Sequence, residues 1–423
     1  MRTDLVKAYF NLPTVRNFIL SLVDVLAERR SVIVLLPANV DVNLVKQAVW
    51  GELWSREFSM REISLREFPQ LLPLDNLTAV FQPEWAPPDI PRTLANFMEI
   101  THLPDVIGLW SIDACTNEIR SKWMQLIRDW AALCHQRANN GKQTTAFCLI
   151  AHAENSLGSI PENDIFLEVR WWWGFPSILE NSLLCRQGSG NSRNPLDQWR
   201  EKLLPSLAGG DLQLIYYLWD RIGDSLDDLI APLENFQLEA EWTNDDKLQW
   251  QSYLSANGDH RSHGAGLPPP RKILNQWARG LIYSTVEFGP EVHPAILARL
   301  RNFDDLKHRL WRGQTELVLP LVDGLRLEIC SRLTQRLGVE WPWRWEIPDS
   351  EDELSAVKDN PKATQLGYLS WLIRKNQNFR NFRQWSILVF TAHQIRNEIA
   401  HYRIITIKDF ERLLQEIDGM VDC

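Results

Sequence analysis

The sequence has no C-x-x-C pair: its six cysteines stand singly at 115, 134, 148, 185, 330 and 423. That excludes a zinc framework or disulfide scaffold of recognisable spacing and favours a reducing, cytoplasmic compartment. No apolar run approaches the ~18 residues that a membrane span needs. Behind Met1-Arg2-Thr3-Asp4 there is no long apolar core, so no secretory signal is expected. An excess of positive charge is also missing, since 45 Lys and Arg face 54 Asp and Glu for a net charge of −9. Broad coating of nucleic acid is thereby excluded, while a local basic site is not. His260 and His263 are spaced as metal ligands often are, but no cysteine or acidic pair completes a set. They are read as surface histidines, and neither a metal nor a cofactor is expected. What the chain has in quantity is tryptophan, 20 in 423 residues. Many recur beside Leu and Ile at helical spacing, which predicts anchors of cores or interfaces rather than base-stacking platforms. The length exceeds one ordinary core and predicts two or three domains.

In the first half, Val15, Phe18, Ile19, Leu22 and Val25-Leu26 recur at helical spacing. Ser31-Val32-Ile33-Val34-Leu35-Leu36 is a β-branched run of the kind that fills a buried parallel strand. A loop over 37–43 and an apolar-periodic helix over 44–54 follow. Further strands are predicted over 60–65, 77–81, 105–113, 144–151 and 165–169, with helices over 117–138 and 177–186. Strands alternating with helices predict a parallel sheet covered on both faces.

The succession of strand, loop and helix from Ser31 is where a P-loop stands, and the 105–113 strand ends in Asp113 as a Walker B segment does. The order of elements resembles that of the AAA+/STAND group of P-loop NTPases. The chemistry this resemblance implies is missing. A P-loop needs glycines to wrap backbone amides round phosphate, a lysine for its oxygens and a Ser/Thr for magnesium. The loop here has no glycine and no Gly-Lys-Ser/Thr, and carries Asp41, which repels phosphate. Ala114 follows Asp113, where an ATPase carries a catalytic acid. A pseudo-ATPase domain over 1–190 without nucleotide-binding residues is therefore expected, with Asp113 as a strand-end or helix-capping carboxylate.

Residues 187–210 are loop-rich, and helical segments over 211–254 complete a connecting region, 191–255. Residues 256–270, with Asn-Gly-Asp-His, Gly-Ala-Gly and Pro-Pro-Pro, read as a linker. Everything beyond reads as helix: 272–283, 294–300, 303–337, 364–374, 379–401 and 407–420. Leu310, Leu317, Leu321, Leu325, Ile329 and Leu333 line one stripe, and Pro320 is expected to kink or divide that helix. Trp341-Pro342-Trp343-Arg344-Trp345 and an acidic stretch over 349–353 separate the two helix groups. Thr406 with Asp409 predicts an N-cap for the last helix. The fold expected is an α/β domain with a degenerate P-loop-like parallel sheet, then an all-α bundle over 271–423.

Within that bundle stands Arg396-Asn397-Glu398-Ile399-Ala400-His401. Arginine grips phosphate with two charge-assisted bonds and keeps its proton. Histidine titrates near neutrality and exchanges a proton with a ribose hydroxyl. From 374 to 412, eight Lys/Arg face three acids, an island of positive charge in an acidic chain. Arg396 and His401 are five apart, about 140° round an ideal helix, so one helix face does not hold both. The stretch resembles the R-x4-6-H signature of HEPN-domain proteins. The resemblance implies an all-α domain, usually a homodimer, and in active members metal-independent RNA cleavage at a site shared between protomers. On it, Arg396 binds the scissile phosphate, Asn397 orients it and His401 is the general acid/base. His393 and Glu328 are candidate supporting groups.

Two classes of function are open. One is an RNA-cleaving effector held in check by the pseudo-ATPase domain, a pairing that recurs in prokaryotic anti-phage and abortive-infection systems. The other is a non-enzymatic adaptor of a defence complex, binding other proteins through surfaces rich in Trp and Leu.

Overall fold

The computed structural model describes residues 3–81, 92–100, 102–139, 144–155, 158, 160–189, 194–223, 225–238, 240–256, 265–345 and 350–421. His260, His263 and Cys423 lie outside them. Two compact units emerge, each built from three stretches of chain. The first takes Met1–Leu184, Gly209–Gln213 and Gln237–Ile296; the second takes Cys185–Ala208, Leu214–Phe236 and Leu297–Cys423. The division therefore does not coincide with the 256–270 stretch, since residues on both sides of it belong to the first unit.

The first unit is organised on a five-stranded sheet of β1 (Ser31–Leu36), β2 (Met60–Ser64), β3 (Val106–Trp110), β4 (Ala146–His152) and β5 (Leu167–Trp171), in the order β2-β3-β4-β1-β5. All its ladders are parallel. Every residue of β1 is buried, as a β-branched run between two parallel neighbours should be. The Pro13–Ala27 helix packs on β1 and on the Val42–Ser55 helix, which in turn packs on β4. The 117–138 prediction is met by the Asn117–Ala138 helix, capped by the Thr116 hydroxyl on the Ile119 amide.

Two elements correct the sequence-based expectation. Residues 77–81 belong to a helix, Pro73–Phe81, and not to a strand. Leu77, Thr78 and Phe81 are buried at spacings of one and four, which is a helical face; a short apolar run does not distinguish the two by composition. Residues 272–283 are not one helix either. A short helix, Leu274–Ala278, ends at Gly280, and an antiparallel pair follows, β6 (Ile282–Thr285) with β7 (Gly289–Val292). The segment is held to its unit by Ala38 N–H donating to Ala278 O at 2.9 Å and by the Trp277 indole donating to Trp172 O at 3.1 Å.

The second unit is helical among its described residues and is built on one helix of 35 residues, Phe303–Leu337. Asn302 caps its N-terminus and Gly338, at φ 83°, ends it. Pro320 lies inside and does not divide it. Of the predicted stripe, Leu310, Leu317, Leu325, Ile329 and Leu333 are buried and Leu321 is half-buried. The Pro195–Ala208 helix, where a loop was expected, packs against it. Gly313 permits the approach: a Cβ there would stand 2.8 Å from Lys202 O. The 379–401 prediction resolves into a 3-10 segment, Gln377–Trp385, and an α-helix, Ser386–Ala400. Phe379, Phe382 and Trp385 are buried at intervals of three, the 3-10 repeat. The last helix, Ile407–Val421, has the predicted cap, with Thr406 Oγ1 accepting from Asp409 N at 3.2 Å.

Candidate functional site

The Ser386–Ala400 helix buries Leu388, Val389, Ala392, Ile395 and Ile399. That leaves His393, Arg396 and Asn397, at spacings of three and four, on another face. They touch. Arg396 Nη1 donates to Asn397 Oδ1 at 3.2 Å, and Asn397 Nδ2 stands 3.1 Å from His393 Nε2. Asn397 thus links the arginine to the imidazole. His393 Nδ1 is buried and has no partner among the described residues. Burial, and secondly the positive charge of Arg396, lower the pKa of His393 and favour the neutral ring.

His393 and Arg396 line a cleft of about 430 Å³ whose other walls include Asp323, Arg326, Gln365 and Gly367. Arg326 is committed to protein groups: it donates to Asp323 Oδ1 at 2.9 Å, to Thr364 O at 3.2 Å and to Lys362 O. Arg396, by contrast, engages only the neighbouring amide among the described residues. Gly367 brings its helix, Leu366–Lys375, against the imidazole, since a Cβ there would stand 3.0 Å from His393 Cε1. Asp323, Arg326 and Gly367 were not found from sequence. The i,i+3 acid–arginine pair was a legible signal, but nothing in the pattern says which cleft it faces.

His401 is elsewhere. It caps the C-terminus of the helix, its backbone N–H returning to Asn397 O at 3.0 Å and Glu398 O at 3.1 Å. Its ring is exposed, forms no hydrogen bond among the described residues and does not line the cleft. Within one chain the cleft therefore pairs Arg396 with His393 and not with His401. Glu328 is not a partner of this site: it pairs with Arg332 at 2.7 Å, one turn along its own helix.

The first unit offers a second cleft, of about 340 Å³, at the carboxyl ends of β1, β3 and β4. The connections from the adjacent strands β1 and β4 leave in opposite directions, to β2 and β5, and such a switch point is where open parallel sheets bind ligands. Several of its polar groups are engaged within the unit, while Arg66 on its wall is exposed and has no ion pair among the described residues. Asp41 caps the Val42–Ser55 helix, its carboxylate accepting from Asn43 N at 2.8 Å, so the protein's own anion holds the helix N-terminus. Lys46 is paired with Glu62 and lies over the Trp110 ring. Asp113 is neither at the end of β3 nor a helix cap; it lies in a 3-10 turn, Ile112–Ala114, 3.4 Å from His152 Nδ1. His152 Nε2 stands 3.0 Å from Val40 O. Among the described residues no group of three His, Cys, Asp or Glu is placed to hold a metal ion, and no helix is long and apolar enough to cross a membrane.

No protein family matches the chain by sequence, and no curated protein does. Among solved structures it is similar to the Thermotoga maritima RuvB Holliday junction branch migration motor, at TM-score 0.31 and 11% identity over 71% of this chain and 94% of that one. It is similar also to Drosophila ORC bound to GC-rich DNA and Cdc6, at TM-score 0.33 and 11% identity, covering 98% of this chain and 71% of that chain. Scores this low carry no functional weight. What the structure shows is a parallel five-stranded sheet covered by helices in the first unit and a helical second unit.

Proposed function

We propose that this protein is a HEPN-type RNA-cleaving effector whose α/β unit regulates it without turning over nucleotide, acting in anti-phage or abortive-infection defence. The observation that carries the reading is the hydrogen-bonded series Arg396–Asn397–His393 on the wall of an open cleft. Arg396 holds a non-bridging phosphate oxygen and balances charge as the phosphorane forms. A neutral imidazole takes the proton of the ribose 2′-OH while its oxygen attacks phosphorus. The P–O5′ bond breaks, a second ring returns a proton to O5′, and a 2′,3′-cyclic phosphate is left. His393 supports the arginine in its own chain. His401, exposed at the helix end, meets the cleft of a second copy, so the active form is a homodimer.

The test is RNA cleavage by wild type, His401→Ala and Arg396→Lys at matched concentration, with product ends assayed and EDTA present or absent. Loss in both variants, with chelator indifferent, supports the reading. If both variants cut as wild type does, or EDTA stops the reaction, the mechanism is wrong. A second reading, a non-enzymatic adaptor, is favoured by Asp41, whose carboxylate takes the helix N-terminus where a phosphate would sit.

A further inference from the structure

The residue after His401 carries a feature that cleavage alone does not use. Tyr402 lies in the left-handed region at φ 57°, a conformation that bulky residues adopt only where their surroundings impose it. The restraints are visible on both sides. Trp311 donates its indole N–H to Ile399 O at 2.6 Å, and Tyr402 N–H returns to Ile399 O at 3.1 Å. Gln314 then clamps Ile405 in both directions, donating to its carbonyl at 2.8 Å and accepting from its amide at 2.9 Å. Between these points the backbone lays the Tyr402 ring on Trp311, with centroids 4.6 Å apart and planes at 33°. Trp311 is itself stacked with His308 at 5.4 Å and 24°. Yet Tyr402 is 70% exposed, and its hydroxyl makes no hydrogen bond among the described residues. A ring fixed by its backbone and supported from beneath, but left in solvent, is preorganised to receive another flat group.

We propose that Tyr402 on Trp311, with His308, is a stacking platform for one unpaired base of single-stranded RNA, which sets the adjoining phosphate at His401. The proposal rests on the RNA-cleaving reading and names its substrate class. In a duplex both faces of a base are covered by neighbours, so only a splayed base reaches such a ring. Every base has a π-face, which makes the selection one of strandedness rather than of sequence. The rim suits a polyanion better than a protein face. Ala400, His401 and Arg403 beside Tyr402 are exposed, and the 374–412 segment has eight Lys/Arg to three acids. Arg403 meets Glu398 at 3.3 Å in an exposed pair that a phosphate can compete for.

The experiment is fluorescence anisotropy of a labelled 2′-O-methyl oligoribonucleotide, which lacks the attacking hydroxyl, single-stranded and as a duplex. Full-length wild type, Tyr402→Ala, Tyr402→Phe and Tyr402→Gly are compared. Glycine suits the left-handed turn and removes the ring without straining the backbone. Loss of single-strand binding by about 5- to 100-fold in the Ala and Gly variants, with Phe within about twofold, is expected from the known worth of one stacked base. Weaker duplex binding that ignores all three substitutions is expected as well. Wild-type affinity in Tyr402→Gly overturns the proposal, as does equal affinity for duplex and single strand. A change confined to oligomeric state in light scattering overturns it in favour of a surface for a second copy. Tyr402-dependent binding with no cleavage of unmodified RNA sustains the platform and refutes the nuclease. Cleavage undiminished in Tyr402→Gly sustains the nuclease and refutes the platform.

Discussion

The two clefts differ in how they treat their charges. In the α/β unit three groups on the cleft wall are answered within the unit, Asp41 by the helix N-terminus, Lys46 by Glu62 and Asp113 by His152, while Arg66 on the same wall is exposed and has no ion pair among the described residues. In the helical unit Arg326 is tied to three acceptors, but Arg396 beside it engages one weak neutral amide, and His393 keeps a buried nitrogen without a partner among the described residues. A carboxylate already seated at the helix N-terminus leaves an incoming anion little to gain there. A cleft with an unspent guanidinium has binding energy still to release. On the proposed reading the chemistry belongs to the helical unit.

The largest effect that would break this comparison is catalytic. His401→Ala is expected to lower RNA cleavage by about 10²–10⁴-fold, the range for a general acid/base, with circular dichroism unchanged. Arg396→Lys is expected to fail comparably, because an ammonium keeps the charge and loses the fork. Sustained ATP or GTP hydrolysis abolished by a change at Asp113 would reverse the roles of the two clefts.

Next in size is a structural effect in the helical unit alone. Gly313→Leu places a side chain where even a Cβ meets Lys202 O at 2.8 Å, and about 1–3 kcal/mol of stability should be lost to overpacking. Gly324, on the same helix, has nothing within 4 Å of its added Cβ. Gly324→Ala should therefore stabilise by up to about 1 kcal/mol through helix propensity alone. Thermal melts of the pair decide whether close packing at 313, rather than glycine content, matters.

In the α/β unit, Asp41→Ala should cost about 1 kcal/mol, the worth of an N-cap, and should not create nucleotide turnover. An equal or higher melting temperature would remove the argument that this carboxylate holds the helix end.

The smallest effect is a pH slope. Burial and Arg396 lower the pKa of His393 in the folded chain below its ordinary value of 6.5. The unfolded chain then takes up the proton first, so stability falls as pH drops below the ordinary histidine range and is unaffected above it. His393→Gln should flatten that slope between pH 7 and 5 in urea melts. Arg396→Gln should flatten it in part, since it removes the second cause and leaves burial. A slope unchanged in both variants would assign it to other groups.

Several parts of this molecule were legible residue by residue. The run Ser31–Leu36 is strand because β-branched residues without a polar face are stable only between parallel neighbours, and β1 is buried throughout. The stripe from Leu310 to Leu333 is helix because its apolar residues recur at four and seven, and Thr406 with Asp409 caps because a hydroxyl and a carboxylate three apart close on each other's amides. The hairpin of β6 and β7 was illegible, since four-residue strands carry too few positions to show a period.

Sequence alone determined that Arg396 and His401, five positions apart, do not share one helix face, because helical geometry follows from spacing. Only the tertiary structure decided which neighbours each acquires. Arg396 and His393, one turn apart on their own helix, face a cleft whose far walls come from helices around residues 323 and 367. Tyr402 meets Trp311 across some ninety positions of chain, a separation over which spacing carries no information. Such contacts depend on how helices pack, and helix packing depends on the shapes of whole faces rather than on any short run of residues.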